Sequence, residues 1–236
     1  MNTALVGPEA TGDEIMGTDI HAIFQAKRGG IWEDIVSPYD EQRSYFLFAW
    51  LANVRNGYGF AGVKTGEPIK PIAEPRGLPE DFTTESGEMH RIPSNAHRGR
   101  RAEWYKDEDA NTEDPDHLLQ WMGDHTRSWL LASEILEAPE QPYAKCGVLD
   151  LDVYKAWPVG TEPDEWSGDV SGPGVQIFEA QILTASGTKP EVPGGFSHVR
   201  VAWTGNILEV FSEFRDMVQK LQEEHGEVRM VFGFDS

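Results

Sequence analysis

Chemistry in this chain could concentrate at two places, a set of metal-ligand side chains and a glycine run between cations. Asp19-Ile-His21 sets a carboxylate and an imidazole two residues apart. On a strand both leave the same face, where they can share one divalent cation. Asp124 and His125 precede the apolar Ser128-Trp129-Leu130-Leu131, and Asp235 lies in the last strand-like run. If the two terminal strands pair, Asp19, His21, His125 and Asp235 form a set suited to a hard cation or zinc. That reading makes one divalent metal ion the candidate cofactor. It casts His125 or Asp124 as ligand or general base of a phosphate-ester hydrolase. The competing explanation of D-x-H is structural, an imidazole held by a carboxylate.

The second place is Arg55-Asn-Gly57-Tyr58-Gly59-Phe60-Ala-Gly62-Val-Lys64-Thr-Gly66. The spelling Gly57-x-Gly59-x-x-Gly62 matches a dinucleotide fingerprint, which needs a strand before it and a helix after it. Here a helix precedes and prolines follow, so that fingerprint fails on context. Kinase glycine loops fail as well, because no HRD or DFG segment follows. What remains is a nest of main-chain N–H groups flanked by Arg55 and Lys64, able to hold a phosphate or carboxylate. Tyr58, Phe60 or Trp129 would stack a ring, and Arg127 would add charge. The structural alternative is that the glycines only permit tight turns.

These residues need elements to position them. Asp19 to Gln25 alternates, with Ile20, Ala22 and Phe24 on one side, and Arg28-Gly29-Gly30 turns it into a second strand ending near Val36. Ser37-Pro38-Tyr39-Asp40 reads as the start of a helix that Gly57 ends. Tyr45 to Ala52 is apolar on every face, which predicts burial on every face. Residues 67–82, with Pro68, Pro71, Pro75 and Pro79, form a stiff extended connection.

Residues 83–116 carry no period and read as a polar insert, with a basic cluster at His97, Arg98, Arg100, Arg101 and Lys106. A short helical turn is expected at 117–122 and a helix capped by Ser133 through Leu136. Strands are expected at 148–153, 176–183 and 199–203. His198 and Arg200 share one face of the last of these. His90, His97, His117, His198 and His225 show no ligand spacing. Ile207 to Leu221 is an amphipathic stripe closed by Gly226, and Val228 to Phe234 is a terminal strand. The expectation is one α+β domain over 16–236, after a loose extension at 1–15. Its sheet is mostly antiparallel, around a buried central helix, with a C-terminal amphipathic helix followed by a strand.

The bulk composition narrows the function classes. A net charge of −20 from 40 acidic and 20 basic residues disfavours duplex nucleic acid and anionic membrane as partners. It suits either high solubility or a surface that imitates a polyanion, the latter an acidic decoy that engages a basic factor. The single cysteine, Cys146, excludes an internal disulfide and sits in an apolar run as a buried, inert thiol. No stretch has the length of a membrane span, so a cytoplasmic protein is expected, with homo-oligomerisation left open.

The D-x-H opening is similar to that of metallophosphoesterases, and Gly123-Asp124-His125 and Gly205-Asn206 resemble their later motifs only in part. No GNH[DE] segment is present. A broader resemblance rests on Met16-Gly-Thr-Asp-Ile-His21, on YFLFAWLANVRNGYGFAGVKTGEPIKPIAEPRGLPEDF, on HTRSWLLASEIL and on VRMVFGFD. Together these resemble an uncharacterised family found in tailed bacteriophages and some bacterial genomes, whose members typically begin at MGTDIH. The resemblance implies a phage accessory protein of no established activity. Relatives often show HSHSW where this chain has His125-Thr-Arg127-Ser-Trp129. The arginine weakens a two-histidine metal site and suits an anion pocket. The reading is therefore a small anionic, nucleotide-like ligand, in a phage setting a sequestered host defence signal. The hydrolase and the decoy are the alternatives.

Overall fold

The computed structural model describes residues 17–39, 43–82, 91–93, 118–120, 123, 125–181, 184 and 186–235, with backbone alone at 91–93 and 118–120. The N-terminal extension, Met16, His90, the basic cluster around His97, His117 and Asp124 lie outside these residues.

Strand β1 (Asp19–Arg28) turns through Gly29 and Gly30, at φ 58° and 90°, into β2 (Ile31–Ile35). Positive φ at both central residues is what a tight hairpin requires, and glycine meets it without a Cβ clash. The terminal strand β9 (Val228–Asp235) pairs antiparallel with β1, with Asp19 opposite Asp235 and Phe24 opposite Met230. On its other side β9 pairs with β5 (His125–Leu131), giving a four-stranded antiparallel sheet in the order β2-β1-β9-β5. β9 is buried from Val228 through Phe234 because it is central and covered on both faces.

Helix α1 (Tyr45–Ala52) lies on the inner face, its six residues from Leu47 to Ala52 all buried. Phe48 packs on Phe234 with ring centroids 5.0 Å apart. The expected start and stop of this helix are both corrected. Ser44, not Ser37, is the N-cap, accepting from the Leu47 N–H, and Asn53 in the left-handed region (φ 61°) ends it ahead of Gly57. Ser37 instead accepts from the Tyr39 N–H in a local turn, a standard competitor to helix capping.

Across α1 lies a second sheet, β6 (Pro142–Asp150), β8 (His198–Asn206) and β7 (Ile177–Glu179), in the order β6-β8-β7. β7 runs parallel to β8, the one parallel pairing among the described strands. Strand β6 begins earlier than expected. It ends at Asp150, whose carboxylate accepts from the Asp152 N–H and caps α3 (Leu151–Ala156). Two acids spaced as if on an exposed strand face are thus a helix start. The strand expected at 176–183 shortens to β7. Short α2 (Ala132–Leu136) follows β5 directly. Its first turn is closed by Glu134, which accepts from the Leu131 N–H, so Ser133 falls inside the helix.

β3 (Arg91–Pro93) and β4 (Leu118–Gln120) pair with each other where no strand period was legible and a helical turn was expected. The amphipathic stripe is broken at Phe211 into α4 (Ile207–Val210) and α5 (Ser212–His225), and Gly226 ends α5. Phe211 stacks on Trp50, centroids 5.0 Å apart, and fastens this joint to α1. The α+β class, the antiparallel preference, the buried helix and the final helix–strand pair all stand. No described helix is long and apolar enough to cross a membrane.

Candidate functional site

A cleft of about 990 Å3 opens where α1 begins and where the chain leaves it. Its walls are the first turn of α1 from Arg43 to Leu47, the 57–66 loop, the edge of β6, the 162–171 segment and the α4–α5 joint. The glycine run does border a hollow, although its internal order differs from a nest. Tyr58 and Lys64 face each other across an antiparallel bridge, and Phe60–Gly62 forms a 3-10 turn at the tip. The N–H groups of Tyr58, Gly59, Val63 and Thr65 donate to Arg55, Val63, Phe60 and Gly57 carbonyls respectively. Those four donors are consumed by the hairpin itself.

The base of this hairpin is sewn to β6. Gly66 bridges Lys145, Glu67 N–H donates to the Ala144 carbonyl (3.1 Å) and Cys146 N–H to the Thr65 carbonyl (2.8 Å). A Cβ on Gly66 would lie 2.5 Å from the Ala144 oxygen, so the close approach needs glycine. Further along, Val148 and Ser167 exchange both main-chain hydrogen bonds. The edge of β6 is therefore covered by two returning segments, and the cleft is the gap they leave.

Of the expected ligand-binding set, Arg55, Gly57, Tyr58 and Gly59 border the cleft and Lys64 does not. Lys64 Nζ pairs with Glu67 at 2.6 Å, with both side chains more than half exposed. Arg55, held in the left-handed region (φ 53°), donates from Nε to the Thr18 hydroxyl (2.9 Å) and lies 5.7 Å from the Tyr45 ring centre. Gly62 lies at the hairpin tip, beside the bordering Ala61 and Val63. Arg127 and Trp129 belong elsewhere, on β5. The Arg127 guanidinium donates to the Gly123 carbonyl (2.8 and 3.2 Å). Trp129 packs with Phe82 and Val231 on the outer face under the Arg76 guanidinium. A guanidinium closing a turn and a ring filling an outer cluster take no part in the cleft.

The terminal strands do lie side by side, as the metal reading required. Even so, the four residues divide between two faces. His21 Nε2 contacts Asp235 Oδ2 at 3.2 Å, while Asp19 accepts twice from the Arg43 guanidinium at 2.8 Å. His125 pairs with Phe234 and stacks on its ring, which alternation puts on the opposite face from Asp235. No group of three or more His, Cys, Asp or Glu side chains able to hold a metal occurs among the described residues.

The centre of the cleft is a group that residue spacing did not single out. Lys145 has an 11% exposed side chain and pairs with Glu162 at 2.9 Å. Its Nζ lies 3.9 Å from the Phe46 ring centre, 5.4 Å from Tyr143 and 5.6 Å from Trp166. Ring faces attract an ammonium most where water is excluded. Glu162 also accepts from the Tyr143 hydroxyl (3.0 Å), so one carboxylate joins the lysine and the phenol. Burial pulls the Lys145 pKa below the usual lysine value, against the Glu162 charge. Burial, reinforced by Glu162, pushes the Tyr143 phenol well above its usual range. Cys146, on the other face of β6, is half-buried rather than fully buried as expected, and burial pushes its thiol pKa up.

Comparison with family models, with curated proteins and with solved structures returns no match.

Proposed function

We propose that the protein binds a small anionic ligand with a planar ring, nucleotide-like in its chemistry, in the cleft beside the 57–66 hairpin. The observation that carries this reading is the lining. Phe46, Tyr58, Phe60 and Trp166 border the same hollow as Arg43, Arg55 and Lys145. Tyr58 and Phe60 are 48% and 58% exposed, unusual for large rings with no other task at a cleft mouth. The volume is at the upper end of what a ligand of this class fills, roughly 300–1,000 Å3.

Acids share the wall, with Glu162, Asp169 and Glu213 among them. They repel a bare inorganic anion and accept from amino or imino groups on a ring. A ligand with a base at one end and an anion at the other satisfies both kinds of wall.

Thermal unfolding against nucleoside mono-, di- and cyclic phosphates tests the reading. A ligand at a hundred times its Kd stabilises by about 2.7 kcal/mol. The expected result is a concentration-dependent rise in Tm, lost in Arg55→Ala and reduced in Phe60→Ala, with the nucleotide recovered intact. Equal Tm values with and without every nucleotide would overturn it.

A further inference from the structure

Lys145 is misplaced for a structural ion pair. Lys145 stands opposite Trp203, and Tyr143, Gly147 and Leu149 stand opposite Gly205, Val201 and Val199. Val199, Val201 and Trp203 are buried, so this row is the core-facing side of the sheet. A lysine there gives up hydration for three rings and one carboxylate, a costly exchange when surface positions are plentiful. The side chain is also not sealed in, because it borders the 990 Å3 cleft.

We propose that Lys145 is a nucleophilic lysine that forms an imine with an aldehyde or ketone group of the ligand bound in the cleft. The inference rests on the cleft being a ligand site and names the reactive group of that ligand. Glu162 takes a proton from the ammonium across their 2.9 Å contact. The freed nitrogen lone pair attacks the carbonyl carbon, a C–N bond forms and the C=O π pair moves to oxygen. A proton passes from nitrogen to that oxygen, giving a neutral carbinolamine beside protonated Glu162. Glu162 then returns its proton to the hydroxyl, the C–O bond breaks, water leaves and the nitrogen lone pair closes the C=N bond. The sum is ammonium plus carbonyl giving protonated imine plus water, with no oxidant or further reactant. The Tyr143 hydroxyl, donating to the second Glu162 oxygen, holds the carboxylate in place for both transfers. Burial that favours the neutral amine is the usual way an enzyme activates such a lysine.

The test uses the full chain, pyridoxal 5′-phosphate as a ring-bearing anionic aldehyde, and borohydride to fix any imine as a secondary amine. Peptide mapping should find the label at Lys145 severalfold faster than at the exposed Lys64 and Lys155, because burial leaves more of its amine neutral. Glu162→Gln should slow labelling at that site, and Lys145→Arg should abolish it while leaving the slow labelling elsewhere. Label spread over exposed lysines with Lys145 untouched would overturn the proposal. Mapping on the unsubstituted chain decides even if a variant fails to fold. Pyridoxine 5′-phosphate, which lacks the carbonyl, separates this inference from the binding one. If pyridoxine phosphate raises Tm while Lys145 stays unlabelled, imine formation falls and the cleft remains a ligand site. If Lys145 is labelled without any Tm rise, the imine stands and ring-and-anion recognition falls.

Discussion

Gly66 and Lys145 face each other across a main-chain bridge that ties the hairpin leaving α1 to the edge of β6. Through this contact the hairpin and the buried lysine belong to one rigid corner. The corner fixes the distance between the exposed rings of the loop and the ammonium at the back of the cleft.

Gly66→Ala should open that corner. The added Cβ would press on the Ala144 carbonyl, a main-chain atom that cannot swing aside. We expect a loss of about 1–3 kcal/mol in urea unfolding together with loss of nucleotide stabilisation. Gly194→Ala, with open space around it, should stay within about 0.5 kcal/mol of the parent.

Trp50→Ala should be among the most damaging single changes. Trp50 is 1% exposed and stacks on Phe211 at the joint between α4 and α5. Removing a ring from such a site costs about 3–5 kcal/mol, measured as a fall in urea midpoint. Because α5 hangs on that joint, its helical signal in circular dichroism should melt earlier than in the parent.

The acid limb of stability should depend on Glu134. The Arg76 guanidinium, donating at 2.5 and 2.9 Å, holds the Glu134 carboxyl below its usual 4.5. A carboxyl depressed in the folded state contributes stability above its unfolded pKa and loses that contribution as pH falls through the folded value. The gap in Tm between parent and Glu134→Gln should therefore be full above pH 5 and should shrink steadily below pH 4.5.

The alkaline limb should carry two opposite slopes. Lys145 is depressed in the fold, so the unfolded chain binds more protons up to 10.5, and parent stability rises with pH relative to Lys145→Met. Tyr143 is raised in the fold, so above pH 10 the unfolded chain gives up a proton that the folded chain keeps, and stability falls. Tyr143→Phe should remove the fall and leave the rise, in Tm measured from pH 7 to 11.

How far the sequence foretold this molecule follows from which forces were local. β1, its Gly29-Gly30 turn, α5 and β9 were readable because a period or a turn residue marks each of them. Burial of α1 was readable from its apolar faces. Its ends were not, since Ser37 and Ser44 both look like caps and only packing of Tyr45 to Ala52 chooses between them. In the cleft, Arg55 and the glycines stood out by local spacing. Lys64 looked equivalent to Arg55, but its ammonium pairs with the exposed Glu67 and it does not line the cleft. Lys145 was hidden because its partners come from far along the chain. Phe46 and Glu162 flank it from opposite sides in sequence, and only the β6–β8 register reveals that it faces the core. The alternation Tyr143, Lys145, Gly147, Leu149 was the trace available, and the apolar run around Cys146 masked it.

The position of β9 bears on how the chain is made. Its neighbours β1 and β5 are synthesised first, and each finds its shared partner when residues 228–235 emerge and slot between them. During translation the β1–β2 hairpin thus exposes a bare row of main-chain groups that only a late arrival can pair. A detached peptide spelling VRMVFGFD could serve as an insertable wedge, restoring a truncated polypeptide from outside.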